Sequence, residues 1–326
     1  MARNALISEQ RFTRIMKRQQ KSRWLSEYEP AMLATRDEAP KISRPSTAYA
    51  GKLGRQMHFM SLAERHVCLL ALYHPAVFDI HEQHMLHPFE ANHPLDGLPQ
   101  AARMSLPRLR GTVTVAEELG MLSKHPVVWL AGRTKAAEPT RHAFPYLGDL
   151  LLFLRDEHGP YCVNWSVKAR RIDFFDTAQP SSKAVTPTES TQPALSMRHQ
   201  LERQYFADVD ICTHFVAAED LNLSVLVNLQ TLFVRAQQHF GLTQEKQELL
   251  VLAYQRLVGT KTTVLSQLPD LMERFECDRS QCLIALYHAV WERRLRVDLF
   301  QPVLVDKPLS EERTDILVQY AHLFGR

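Results

Sequence analysis

Residues 149–168, "DLLLFLRDEHGPYCVNWSVK", constrain the fold of this chain more than any other stretch. Two β-prone runs flank Glu157-His158-Gly159-Pro160, four residues of turn-forming type, and the pattern predicts a β-hairpin. The arms of a hairpin are antiparallel, so residues equidistant from the turn face each other. With the turn centred between His158 and Gly159, Asp149 and Lys168 are cross-strand neighbours, their Cβ atoms roughly 5 Å apart. Side chains alternate along a strand, which sets Ser166 and Lys168 on one face and Trp165 and Val167 on the other. An acid and a base thus emerge together at one end of an apolar hairpin. Two readings are open. One is a salt bridge where the strands leave the core. The other is a phosphodiester-cleaving site, with the aspartate on a divalent metal and the lysine steadying the attacking water or the phosphate.

A hard divalent cation takes more than one carboxylate or carbonyl oxygen, and the upstream candidate is Glu64. It lies in "SLAERHVCLLALYHP", residues 61–75, a helix opened by Ser61 and stopped by Pro75. Ser61 and Glu64 have the spacing of a capping box, in which the glutamate bonds back to the helix start. The same glutamate shares a helix flank with Val67, Cys68 and Ala71, the flank that faces a core. The motif by itself does not separate these two roles.

The chain has 326 residues, 45% of them hydrophobic, enough for two packed domains. Its net charge of +3 permits nucleic acid as a partner without arguing for it. The distribution says more: residues 1–55 carry 12 Lys/Arg against 5 Asp/Glu, leaving the remainder slightly acidic. That basic segment is either a solvated arm or a DNA-contacting one. Five cysteines without a CxxC pair exclude a disulfide framework and a zinc ribbon, and fit the reducing cytosol. No apolar signal core and no membrane-length window occur, so a soluble, cytoplasmic protein is expected.

Along the chain, "LISEQRFTRIMKRQQ" reads as helix and "AVFDIHEQHML" as a strand running into a polar edge. Residues 87–148 read as irregular apart from a helix at "TVAEELGML", and 177–194 as a polar surface loop. "SMRHQLERQYFA" reads as helix and "DICTHFVAA" as strand. From about 225 the period becomes helical in "TQEKQELLVLAYQRLV", "TVLSQLPDLMERF" and "DRSQCLIALYHAVWERR". "LRVDLFQPVLVD" then alternates as a pair of short strands, giving the winged-helix order over 225–326 and a first domain over 1–224.

Together these stretches resemble TnsA, the endonuclease subunit of heteromeric transposases, a member of the PD-(D/E)xK nuclease superfamily. "SLAERHVCLLALYHPAVFDIHEQHMLHP" is similar to the TnsA segment that holds its catalytic glutamate. "GTVTVAEELGMLSKHPV" resembles the stretch that follows, and "YLGDLLLF" and "CVNWSVKA" the strands with the catalytic aspartate and lysine. "HQLERQYF" and "DVDICTHFVAAEDL" resemble the later helix and last strand, in the same order over roughly residues 50–225. The resemblance implies an α/β fold: a restriction-endonuclease-like domain with a mixed sheet, then a helical, winged-helix-like domain. It implies that Glu64 and Asp149 bind Mg²⁺ (with Mn²⁺ able to substitute), that Val167 offers its carbonyl, and that Lys168 is the catalytic lysine. It also implies cleavage of the 5′ strand at double-stranded transposon ends, beside a TnsB-type transposase and a TnsC-type ATPase, in the bacterial cytoplasm. Ser166 departs from the family, which has glutamine there, and keeps open the alternative of a non-catalytic assembly subunit with a decayed nuclease fold.

Other residues admit two readings. Gln83 is either an active-site-edge residue or a strand-end side chain, and Arg170 and Arg171 either contact flanking phosphates or form a solvated pair. Glu202 either pairs with Arg203 on a solvated helix or lies near the site. His81, His84 and His87 fall close together on a helix but not on a strand, and no cysteine pair accompanies them as zinc ligands. The helix "DRSQCLIALYHAVWERR" is apolar through its middle, unlike the more polar helices that usually read a DNA groove, so protein contact stands at least level with DNA contact for this domain.

Overall fold

A computed structural model describes residues 7–40, 43–132, 138–176, 194–239 and 241–326. The surface loop expected at 177–194 falls almost wholly outside them. The chain divides into two compact units: residues 1–65, 76–220 and 325–326 form the first, and residues 66–75 and 221–324 the second.

The first unit opens with α1 (Glu9–Gln19), capped by Ser8, whose side chain accepts from Arg11 N. Next comes an antiparallel hairpin, β1 (Ser46–Ala50) and β2 (Arg55–Phe59), which the sequence pattern had not revealed. The helix α2 (Leu62–Tyr73) contributes only its first turn to this unit. Then follow β3 (Val77–Leu86), α3 (Thr112–Glu118), β4 (Val127–Leu130), β5 (Thr140–Ala143), β6 (Tyr146–Asp156), β7 (Gly159–Lys168), α4 (Met197–Ala207) and β8 (Cys212–Ala217). The short hairpin β4–β5 lies in the region read as irregular.

β3, β6, β7 and β8 form one mixed sheet in that order, antiparallel at β3–β6 and β6–β7 and parallel at β7–β8. β6 and β7 are its centre. Leu150, Leu152, Leu154, Val163 and Trp165 are buried on one face, and Leu151, Phe153 and Cys162 on the other. Burial on both faces explains why these runs read as continuously apolar. Each such large side chain contributes about 1.5–3 kcal/mol. Leu201, Tyr205 and Phe206 of α4 and Val115 and Ala116 of α3 close over the Leu151–Phe153 face. Ile15 of α1 packs in a second cluster with Met85, Val128 and Phe144.

The hairpin register differs from the expected one. Pairing begins at Asp156↔Gly159 and runs to Leu150↔Trp165. The Asp156 carboxylate accepts from His158 N (2.8 Å), and Gly159 takes a left-handed φ of 111°. The turn therefore closes over Glu157 and His158 alone, and Gly159 and Pro160 become strand. Continued, this register sets Asp149 against Ser166 and moves Lys168 two positions along.

Part of the N-terminal basic surplus is consumed inside the fold. Arg18 pairs with Glu38 (2.7 and 2.8 Å). Arg55 forks onto the buried Glu82 (2.8 Å twice) and stacks 4.8 Å from the Tyr28 ring.

The second unit contains α5 (Leu223–Ala236), α6 (Gln244–Gln255), α7 (Val264–Phe275), α8 (Arg279–Trp291) and the short α9 (Ile316–Gln319). Asn222, Thr243 and Thr263 cap α5, α6 and α7, and Asp278 forms a full capping box with Gln281 on α8. Residues 295–306, expected to be two strands, form none. Asn228 of α5 explains this: its Nδ2 donates to Leu299 O (2.9 Å) and Gln301 O (2.8 Å), and its Oδ1 accepts from Val303 N (3.1 Å). A side-chain amide satisfies backbone groups that a partner strand would otherwise take. The winged-helix order thus lacks its wing among the described residues. No described helix is long and apolar enough to cross a membrane.

Replacing Asn228 with alanine strands three backbone groups at once. We expect Asn228→Ala to lower unfolding stability by about 2–4 kcal/mol, read as a reduced urea midpoint, whereas Thr231→Ala on the exposed side of α5 changes it little.

Candidate active site

β6 and β7 stop pairing at Leu150↔Trp165, while β7 stays paired with β8 as far as Lys168↔Ala217. One end of the sheet is therefore open between its two central strands. There Val167 N donates to Asp149 Oδ2 (2.7 Å), a side chain standing in for a ladder partner. Lys168 Nζ donates to Val167 O (3.1 Å) and lies 3.8 Å from Asp149 Oδ2. Its ammonium also lies 5.9 Å from the centre of the Phe174 ring. Asp149 is nearly buried and Lys168 partly exposed, so the pair sits at the mouth of the opening. Gly148, just before Asp149, has no room for a side chain, since a Cβ there would meet His84 Cε1 at 2.2 Å.

Glu64 comes to this end from the first turn of α2. It caps the helix, because its N–H donates to Ser61 Oγ (3.1 Å) and its Oε1 accepts from that hydroxyl (2.9 Å). Its Oε2 accepts from Met60 N (2.9 Å) and Gln83 Nε2 (2.9 Å). Burial first, then the charge of Asp149, pushes the Glu64 carboxyl up to about 7. The capping role and the neighbourhood with Asp149 thus coexist.

Gln83 sits within β3 at a left-handed φ of 49°, a strained conformation for a residue with a Cβ. The kink breaks the alternation of the strand. Gln83 reaches Glu64, while His81 and His84 line one cavity of about 90 Å³ together with His87 and His93. The histidines that a strand was expected to keep apart thus share one cavity lining, without forming a metal-holding group among the described residues. Burial holds His81, His84, His87 and His93 below the usual imidazole range, His84 at about 3.

The opposite flank comes from α4. Glu202 is not a solvated partner of Arg203, since it is 1% exposed and turned to β7. Its Oε1 accepts from Asn164 Nδ2 (3.0 Å) and its Oε2 from Ser166 Oγ (3.2 Å). Burial raises its carboxyl, partly offset by Arg198, with Asp149 adding to the rise. His199, one turn earlier, is bound through Nδ1 to Ser196 Oγ (2.6 Å) and Phe174 O (3.0 Å). Burial and then Lys168 lower it to about 4. Asn164 and His199 were missed in the sequence, where neither belongs to a spacing motif.

Arg170 and Arg171, the candidate phosphate contacts, each hold a carboxylate already. Arg170 Nη2 donates to Asp173 Oδ1 (2.7 Å), and Arg171 Nη2 to Asp220 Oδ2 (2.6 Å). Both are exposed.

Glu64, Asp149 and the Val167 carbonyl, which accepts from Lys168 Nζ, offer oxygen atoms of the kind a hard divalent cation takes. Burial of two acids close enough to raise one carboxyl is the electrostatic condition a cation relieves. Among the described residues, no three His, Cys, Asp or Glu side chains are gathered tightly enough to hold an ion by themselves. Such a cation would need backbone, hydroxyl or water oxygens as well. Compared with known proteins, the chain matches no family model and no curated protein.

The raised Glu64 carboxyl makes a signed pH prediction. In the folded chain it holds its proton to about 7 against an ordinary value of 4.5, so its contribution to stability is complete below 4.5 and is lost as pH rises through 7. Glu64→Gln keeps an acceptor for Met60 N and Gln83 and removes the charge. In cation-free buffer, its stability relative to the parent should improve between pH 5 and pH 8 by on the order of 3 kcal/mol. Denaturant titrations at the two pH values measure this.

Proposed function

We propose that this chain is a Mg²⁺-dependent DNA endonuclease of the TnsA type, cutting the 5′ strand at transposon ends as one subunit of a heteromeric transposase. The observation that carries the reading is the meeting of Glu64, Asp149 and Lys168, from a helix start and two central strands, at the open end of one mixed sheet. The chain order supports it too: helix, three antiparallel strands, helix and a parallel fourth strand fit the core of a PD-(D/E)xK nuclease. Glu64 comes from a segment far upstream of the hairpin that carries Asp149 and Lys168, and its electrostatic coupling to both supports the reading.

Glu64, Asp149 and Val167 O would hold the cation, which when bound supplies Lewis-acid polarisation of the phosphodiester. Asp149 is held for this by the Val167 N–H, which fixes one of its two oxygens. Lys168, oriented by Val167 O and Asp149, positions the attacking water or a phosphate oxygen and offsets the negative charge that develops in the transition state. Phe174 beneath the ammonium limits its wandering. Arg170 and Arg171 would exchange their carboxylate partners for phosphates as duplex DNA arrives.

The partners belong to the same proposal: a TnsB-type transposase for the 3′ strand and a TnsC-type ATPase as regulator. The apolar middle of α8, with Cys282, Ile284, Ala285, Leu286, Ala289 and Val290, is buried in the core of the second unit.

The test is nicking of a transposon-end duplex with Mg²⁺ and the partner proteins. Asp149→Ala and Lys168→Ala should each cut at least about 10²-fold more slowly than the parent. Equal cutting by all three removes the enzyme reading and leaves that of an assembly subunit.

A further inference from the structure

Position 166, two residues before the lysine, has no charge of its own. In the continued register it faces Asp149, and its hydroxyl donates to Glu202 Oε2 (3.2 Å). Asn164, Ser166 and Lys168 alternate along one face of β7, so Glu202 lies against the face that carries the lysine.

Folding alone does not explain an acid at 202. It is buried, and among the described residues no Lys, Arg or His nitrogen lies within ion-pair distance of it. Its partners are a neutral amide and a neutral hydroxyl. A buried carboxylate with such partners is costly to the fold. An isosteric glutamine would fill the same space and would have a ready partner, because Asn164 Oδ1 is buried without a hydrogen bond. The acid and the orphaned oxygen beside it both point to a missing positive ligand. Charge agrees in sign: three acids, Glu64, Asp149 and Glu202, face two bases, Lys168 and the more distant Arg198, and a cation offsets the excess of acid.

We propose that Glu202 is the positioning residue that makes Ser166 an oxygen ligand of the divalent cation. Its carboxylate takes the hydroxyl hydrogen, so the Oγ lone pairs face the cation or a water on it. Its charge stands in for the acid that position 166 lacks. Because Glu202 acts through Ser166, it need not belong to a tight group of acids, in keeping with the absence of one among the described residues. This inference rests on the cation-dependent nuclease reading above.

The test uses the full chain and Mn²⁺ alone, by isothermal titration without DNA, with melting in EDTA alongside. Glu202→Gln should weaken Mn²⁺ binding about 10- to 100-fold without lowering the melting midpoint in EDTA. Glu202→Asp should retain part of the affinity, and adding Ser166→Asp to Glu202→Gln should restore most of it. A purely structural role predicts the reverse, a lower midpoint with Mn²⁺ affinity intact. If Glu202→Gln does not fold, Ser166→Ala should show the same loss of affinity, and unchanged affinity in that variant overturns the proposal. Parent-like Mn²⁺ binding by Glu202→Gln, while Asp149→Ala has lost it, overturns this inference and leaves the nuclease reading standing. Absence of Mn²⁺ binding in the parent overturns both.

Discussion

The hydrogen bond from Val167 N to Asp149 Oδ2 decides the shape of this end of the molecule. A ladder that simply continued would pair the backbones of β6 and β7 and bury Asp149 beneath them. A side chain placed in the ladder ends the pairing and fixes one carboxylate oxygen between the strands. The Val167 carbonyl next to it accepts from the Lys168 ammonium. One bond therefore orients an acid, a carbonyl and an amine together.

What the bond creates is electrostatically expensive. Glu64 is driven up to about 7 by burial and by Asp149, and Glu202 is buried with no cation at ion-pair distance among the described residues. Stability must come from elsewhere, and it comes from the apolar faces of β6 and β7. The contrast is instructive. Glu82 has a bidentate partner and serves the fold, whereas Glu64 and Glu202 have neutral donors and leave their charge unbalanced.

The sheet was legible wherever burial is two-sided, because "DLLLFL" and "CVNWSV" need no turn geometry to be recognised as strands. Their register was not, since it hung on whether Gly159 and Pro160 belong to the turn or the strand, which the Asp156 carboxylate decides. Glu64, Asp149 and Lys168 were legible only as separate residues with a shared chemistry, joined by a resemblance. Glu202 stayed between two readings because two charges stand side by side in "LERQ", although its spacing from His199 and Phe206 marks the inner flank of the helix. The alternating "LRVDLFQPVLVD" imitates strands, and nothing local announces that Asn228, far upstream, binds its backbone instead. The histidines of β3 escaped for a similar reason, as one unusual φ at Gln83 reorders the faces.

Gly148 and His84 occupy a single volume, the imidazole lying where a methyl group would otherwise stand. The two positions are consequently not free to drift independently. A bulkier residue at 148 requires the imidazole at 84 to shift or to be replaced by something smaller. Among descendants of this sequence the pair should covary, and a lineage that has made the double exchange will carry the nearby acid on a strand whose inner surface has been rebuilt.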